Sequence, residues 1–160
     1  MFKVEEYIIY KGDLCKVTKI ENDYYCLSPI LDESLSIKVP TSNKFNNLRY
    51  PLSKSEAEDL ISKIPSIKPI KTTDKLLENT YKELMKSNNH EDLIKIIKTT
   101  YLRNQERLNK HKKVGDKDLT FFNQAEKLLY NELSYSLDIT YEECKTYIID
   151  KINKENNQDD

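Results

Sequence analysis

The sequence predicts an α+β protein, a small antiparallel sheet followed by helices. Residues 2–40 alternate apolar and polar side chains with the period of two that lines one face of a strand. After Pro51 the apolar residues recur at helical spacing instead. The turn-rich pieces between the early runs are only a few residues long, which favours sequential antiparallel pairing over crossovers.

Four strands are expected around Phe2 to Ile9, Cys15 to Val17, Tyr25 to Leu27 and Leu35 to Val39, and a fifth, shorter one over Leu48 to Tyr50. Lys11-Gly12-Asp13, Glu21-Asn22-Asp23 and Asp32-Glu33-Ser34 supply the connections. The adjoining Tyr24 and Tyr25 must point to opposite faces, so one of them is expected to be exposed. A sheet this small twists strongly and curls into a half-open barrel of the SH3 or Tudor kind, leaving an edge strand.

Ser53-x-x-Glu56 is a capping box that opens a short helix with Ala57, Leu60, Ile61 and Ile64 on its apolar side, and Pro65 ends it. Residues 65–72, with Pro65 and Pro69, read as an extended linker. The expected organisation is therefore a β-module with its short helix over residues 1–64, a linker over 65–72, and a bundle of about four helices over 73–160. In that bundle Asp74 is the expected N-cap of a helix whose inner side carries Leu76, Leu77, Tyr81, Leu84 and Met85, broken at Asn88-Asn89. Further helices follow over Leu93 to about Leu108, over Leu119 to Leu137, and after the capping box Thr140-x-x-Glu143, with a frayed acidic end from Glu155 to Asp160.

Composition narrows the functional classes. In 160 residues, 26 Lys and Arg face 27 Asp and Glu, so no uniform basic coat exists. The balance conceals a gradient: residues 95–113 hold seven basic side chains against Glu106 alone, and residues 118–160 hold ten acidic against four basic. Such polarity either steers one face toward phosphates or pairs the helices with one another. No apolar run approaches the length of a membrane span and the N-terminus lacks a signal pattern, so a cytoplasmic, soluble protein is expected. Cys15, Cys26 and Cys144 form no C-x-x-C pair and are expected to be reduced, and His90 and His111 bring no cluster of zinc ligands.

Enzyme motifs are absent: no G-x-S-x-G, no Gly-rich phosphate loop, no H-E-x-x-H and no Cys/His dyad. Glu5-Glu6, Glu142-Glu143 and Asp159-Asp160 read as solvated charge, and Tyr81, Tyr101, Tyr130 and Tyr147 as core aromatics with the hydroxyl at the rim. No catalytic residue and no cofactor are assigned.

One resemblance covers residues 2–152. Phe2-Lys3-Val4-x-x-Tyr7-Ile8-Ile9-Tyr10, Gly12, Tyr25-Cys26-Leu27 and Leu35-Ser36-Ile37-Lys38-Val39-Pro40 resemble the amino-terminal module of the CarD and CdnL family of bacterial RNA polymerase-binding regulators. That family carries an F-K-V-G-D-x-V-V-Y opening and an L-x-V-x-V-P strand. Leu93-Ile94-Lys95-Ile96-Ile97, Arg103-Asn104-Gln105-Glu106-Arg107 and Ala125-x-x-Leu128-Leu129-x-x-Glu132-Leu133 are similar, in the same order, to its helical half.

The resemblance implies a Tudor-like module docking on the RNA polymerase β subunit by strand addition, and a helical module that contacts promoter DNA near the transcription bubble. It implies Leu35, Ile37, Lys38 and Val39 as polymerase-binding residues. Leu35, Ile37 and Val39 also fit an inward-facing core that leaves only Lys38 to a partner. For phosphate contacts it implies Arg103 and Arg107, joined by Lys110, Lys112 and Lys113 from a loop longer than the family's. The chain departs from the family in having no Trp, with Asp74 near that slot, and in having Leu119 and Thr120 where relatives carry basic residues. A divergent regulator follows, with its DNA contact weakened or moved to the Lys110 to Lys113 loop. The rival reading is a protein-only adaptor whose basic helix packs on the acidic ones. A monomer is expected, although an exposed edge strand permits a swapped dimer.

Overall fold

The computed structural model describes residues 1–42, 48–87 and 89–158, with side chains through Lys154. Five strands, β1 (Tyr7–Tyr10), β2 (Asp13–Glu21), β3 (Tyr24–Pro29), β4 (Ile37–Pro40) and β5 (Leu48–Arg49), form one antiparallel sheet in the order β4-β3-β2-β1-β5. Five helices follow: α1 (Lys54–Ser62), α2 (Asp74–Lys86), α3 (His90–Asn109), α4 (Asp116–Leu137) and α5 (Tyr141–Gln158), with a 3-10 turn at Ile64–Ser66. No described helix is long and apolar enough to cross a membrane.

Turn chemistry explains the meander. Lys11 and Gly12 take φ of 48° and 87°, and Asn22 and Asp23 take 50° and 63°. Two consecutive left-handed residues make the tight turn whose twist matches that of paired strands. Strand alternation then builds a core from Ile8, Cys15, Val17, Tyr25, Leu27 and Val39, which Phe2 flanks. Tyr24 is exposed and Tyr25 buried, as alternation requires. Phe2 and Val4 precede β1 rather than joining it, and Leu35 precedes β4 in a turn closed by its N–H to the Asp32 carbonyl.

One helix end differs from expectation. Thr73, not Asp74, is the N-cap of α2, and Leu76 is exposed while Leu77 and Tyr81 are buried. The Ser53–Glu56 capping box forms in full, and Thr140 Oγ1 accepts the Glu143 N–H at 3.1 Å. Of the break expected at Asn88-Asn89, Asn89 is the N-cap of α3 and Asn88 lies outside the described residues. Of the end expected to fray from Glu155, the backbone stays helical through Gln158, and Asp159 and Asp160 lie outside the described residues.

The larger difference concerns grouping. Ala57, Leu60 and Ile61 of α1, with Ile64 and Ile67, share one apolar core with α2 to α5, so five helices rather than four make up the helical body. Residues read as a linker are pinned to α3: Lys98 Nζ donates to the Ile64 and Ile67 carbonyls at 2.7 Å each, and the Ile70 N–H donates to Thr99 Oγ1 at 2.9 Å. Lys98, counted in the basic run, is thus buried, because its ammonium satisfies carbonyls at the end of the 3-10 turn.

Candidate functional site

β4 is an outer strand of the sheet, and no described strand lies beyond it. Ile37 and Val39 pair with Leu27 and Tyr25 and turn toward the sheet core, whereas Lys38 pairs with Cys26 and is exposed. The Thr41 N–H donates to the Asp23 carbonyl at 2.8 Å, which sets the phase of the ladder. Hydrogen-bonded and non-hydrogen-bonded pairs alternate along an antiparallel ladder, so Val39 and Ile37 bond to β3 and the N–H and C=O of Lys38 face outward along the edge. Of the four residues assigned to this docking strand, only Lys38 offers both its side chain and its backbone to a partner. Val39 is core, Ile37 is half-buried, and Leu35 lies exposed outside the strand.

On the same outer face Lys19 and Lys38 flank Cys26 from the neighbouring strands. Lys19 is held by Glu21 at 2.8 Å, a bond that lowers the Glu21 carboxyl below its ordinary range.

The basic segment divides into two groups. Arg103 Nε donates to Asp118 Oδ2 at 2.9 Å and Arg107 Nη1 donates to the same oxygen at 2.6 Å, while the Tyr81 hydroxyl donates to Oδ1 at 2.8 Å. Asp118 is almost completely buried; burial pushes its carboxyl up, and these three donors outweigh that effect and hold it below its usual value. Arg103 also reaches Asp74 at 3.2 Å, and Arg107 Nη1 reaches Asn104 Oδ1, which accepts the Gly115 N–H as well. Lys110 pairs with Glu106 at 2.9 Å. Lys112 and Lys113 are exposed and make no hydrogen bond or ion pair among the described residues, although Lys112, after Lys110 and Arg103, helps to lower the Glu106 carboxyl. Both arginines assigned to phosphate are therefore structural ties among α2, α3 and α4, because a buried carboxylate at the start of α4 demands counter-charge.

A second ionic centre joins sheet to helices. Arg49 of β5 donates through Nη1 to Glu132 Oε2 and through Nη2 to Oε1, at 2.7 Å each. His90 Nε2, at the start of α3, lies 2.9 Å from Oε1, and the Leu52 N–H donates to Oε2 at 2.9 Å. Burial would raise this carboxyl, but the Arg49 and His90 contacts prevail and hold it down at about 2.

No protein-family model matches the chain, and no curated protein matches it.

Sequence reasoning passed over both Asp118 and Glu132, although Glu132 carried a signal. It occupies the helical row of Ala125, Leu129 and Leu133, where a lone carboxylate implies a buried partner. Arg49 and His90 could not be joined to it without the fold. A third buried acid, Glu126, has no hydrogen-bond partner for Oε2, with Lys145 Nζ at 3.8 Å; its burial raises the carboxyl. Tyr130 OH and Ser134 Oγ, one and two turns further along α4, are likewise buried without partners. Among the described residues no three His, Cys, Asp or Glu side chains group to hold a metal ion.

Proposed function

We propose that this protein is a transcription regulator of the CarD and CdnL kind that docks on the β subunit of RNA polymerase by lending β4 as an edge strand. The observation that carries the proposal is the outward-facing backbone of Lys38 on an outer strand. Backbone donors and acceptors of this kind give a partner strand its affinity, and the Lys38 ammonium selects an acidic neighbour on it. The four-stranded meander closed by β5 against β1, with its ladder irregularity between Val17 and Lys19, is read as the Tudor-like half-barrel of that family. Promoter DNA is met by the loop after α3 through Lys112 and Lys113, which are exposed and make no ion pair among the described residues.

The test is a titration of the full chain against RNA polymerase holoenzyme, with and without a fork-junction promoter duplex, at two salt concentrations. Binding that tightens with the duplex and loosens with salt is the expected result. No polymerase binding overturns the proposal.

The engagement of Arg103 and Arg107 by Asp118 favours a second reading, the protein-only adaptor, since it ties two of the five cations assigned to promoter DNA to a buried carboxylate, recessed from a duplex. Polymerase binding indifferent to the duplex and to salt selects it.

A further inference from the structure

Two clefts meet at the arginine pair. One, of about 430 Å³, lies among α2, α3 and the start of α4 and is lined by Asp74, Glu78, Tyr81 and Asp116 among others; its neighbour, of about 170 Å³, is lined by Glu106, Lys110 and Lys112. Arg103 and Arg107 line both.

The pair is built to hold its position. Asp118 fixes Arg103 by Nε and Arg107 by Nη1, which leaves Arg103 Nη2 and Arg107 Nε and Nη2 without partners among the described residues. The Arg107 guanidinium lies against Gly115 so closely that a Cβ there would stand 2.5 Å from Nη1 and 3.0 Å from Nη2. Gly115 has φ of −78° and ψ of 127°, a conformation open to any residue, so the space taken by the guanidinium, and not the backbone, favours glycine there. Fixed, planar donors beside the exposed Lys112 ammonium are the chemistry that grips a phosphate oxyanion, since the guanidinium groups have little freedom left to lose on binding.

The shape of the clefts selects the kind of phosphate. Both signs of charge stand around the donors, with Asp74, Glu78 and Asp116 beside Lys75 and Lys117 on one side and Glu106 paired with Lys110 on the other. The two guanidinium side chains are only about a third exposed, so a compact phosphate can enter and reach their free N–H groups, whereas a duplex backbone meets mainly the rim. We propose that the cleft at Arg103, Arg107 and Lys112 binds a small molecule through a pyrophosphate or terminal phosphate group. This site goes beyond the polymerase reading and does not depend on it.

The test is a titration of the full chain with pyrophosphate, followed by nuclear magnetic resonance at the Arg103 and Arg107 Nε–H groups and the Lys112 amide. Sulfate serves as the ionic control and a short DNA duplex as competitor. Saturable shifts at these groups with pyrophosphate, and not with sulfate at equal ionic strength, are expected. Lys112→Ala, outside the Asp118 network, should weaken binding about threefold. Gly115→Ala, which forces Arg107 from its seat, should weaken it about tenfold. Shifts that never saturate, binding equal in both variants, or a duplex that takes the same groups more tightly than pyrophosphate would each overturn the proposal. Because β4 plays no part, a failed polymerase titration leaves this result standing, and the reverse holds too.

Discussion

Arg49 grips Glu132 with both terminal nitrogens, at 2.7 Å to each carboxylate oxygen, and so joins the two-residue strand β5 to the C-terminal half of α4. The pairing is bidentate, its acid is buried, and the Leu52 N–H and His90 satisfy the remaining capacity of the carboxylate. Breaking such a pair from one side leaves an uncompensated buried charge, which costs far more than an exposed ion pair contributes.

Acid should expose this dependence. The Glu132 carboxyl stands at about 2 in the folded protein against an ordinary 4.5. A lowered carboxyl contributes stability that is present above its unfolded value and lost as pH falls through the folded one. The contribution is about 3 kcal/mol, lost between roughly pH 4.5 and 2. Denaturant unfolding across that range should show the parent weakening steeply and Glu132→Gln, already weaker at pH 7 by about 3 kcal/mol, weakening less.

Glu126 should behave in the opposite sense. Its carboxyl is raised by burial, so stability is lost progressively as pH rises from the ordinary carboxyl value to the higher folded one, and acid restores it. Glu126→Gln is expected to stabilise the protein at pH 8 by about 1 kcal/mol, with the advantage shrinking toward pH 5. Urea midpoints at the two values measure it, and a constant difference would contradict the account.

Asp118→Asn leaves two guanidinium groups facing each other without their shared counter-charge. Because both arginines are partly solvated, the expected loss is about 2 kcal/mol, less than for a fully buried pair. Thermal unfolding in low and high salt checks the cause: added salt should recover part of the loss.

The docking strand offers a test that separates backbone from charge. Lys38→Pro removes an outward N–H without touching the bonds between β3 and β4, so polymerase affinity should fall at least tenfold while the melting temperature moves little. Lys38→Glu should also weaken polymerase binding, whereas Lys112→Glu with Lys113→Glu should change only the salt-sensitive DNA contribution. Polymerase binding by Lys38→Glu equal to the parent would refute the site.

Local chemistry made much of the fold legible. Period-two alternation, Gly12 and Asn22-Asp23 at their turns, and the Ser53–Glu56 box each act over a few residues, and each reappears in the structure where the sequence predicts it. Alternation alone places Lys38 outward between Ile37 and Val39. Asp118 and Glu132 resist such reading because their partners lie 11 to 37 and 42 to 83 residues away, and a charge count treats every Lys and Arg as free. The spacing of apolar and turn residues determined the strands and helices, since those depend on neighbours in the chain. Tertiary packing decided which charges are spent inside the protein, drawing Lys98, Arg103 and Arg107 inward to satisfy buried oxygens and leaving Lys38, Lys112 and Lys113 to the outside, because desolvation is settled only when distant elements close over a group.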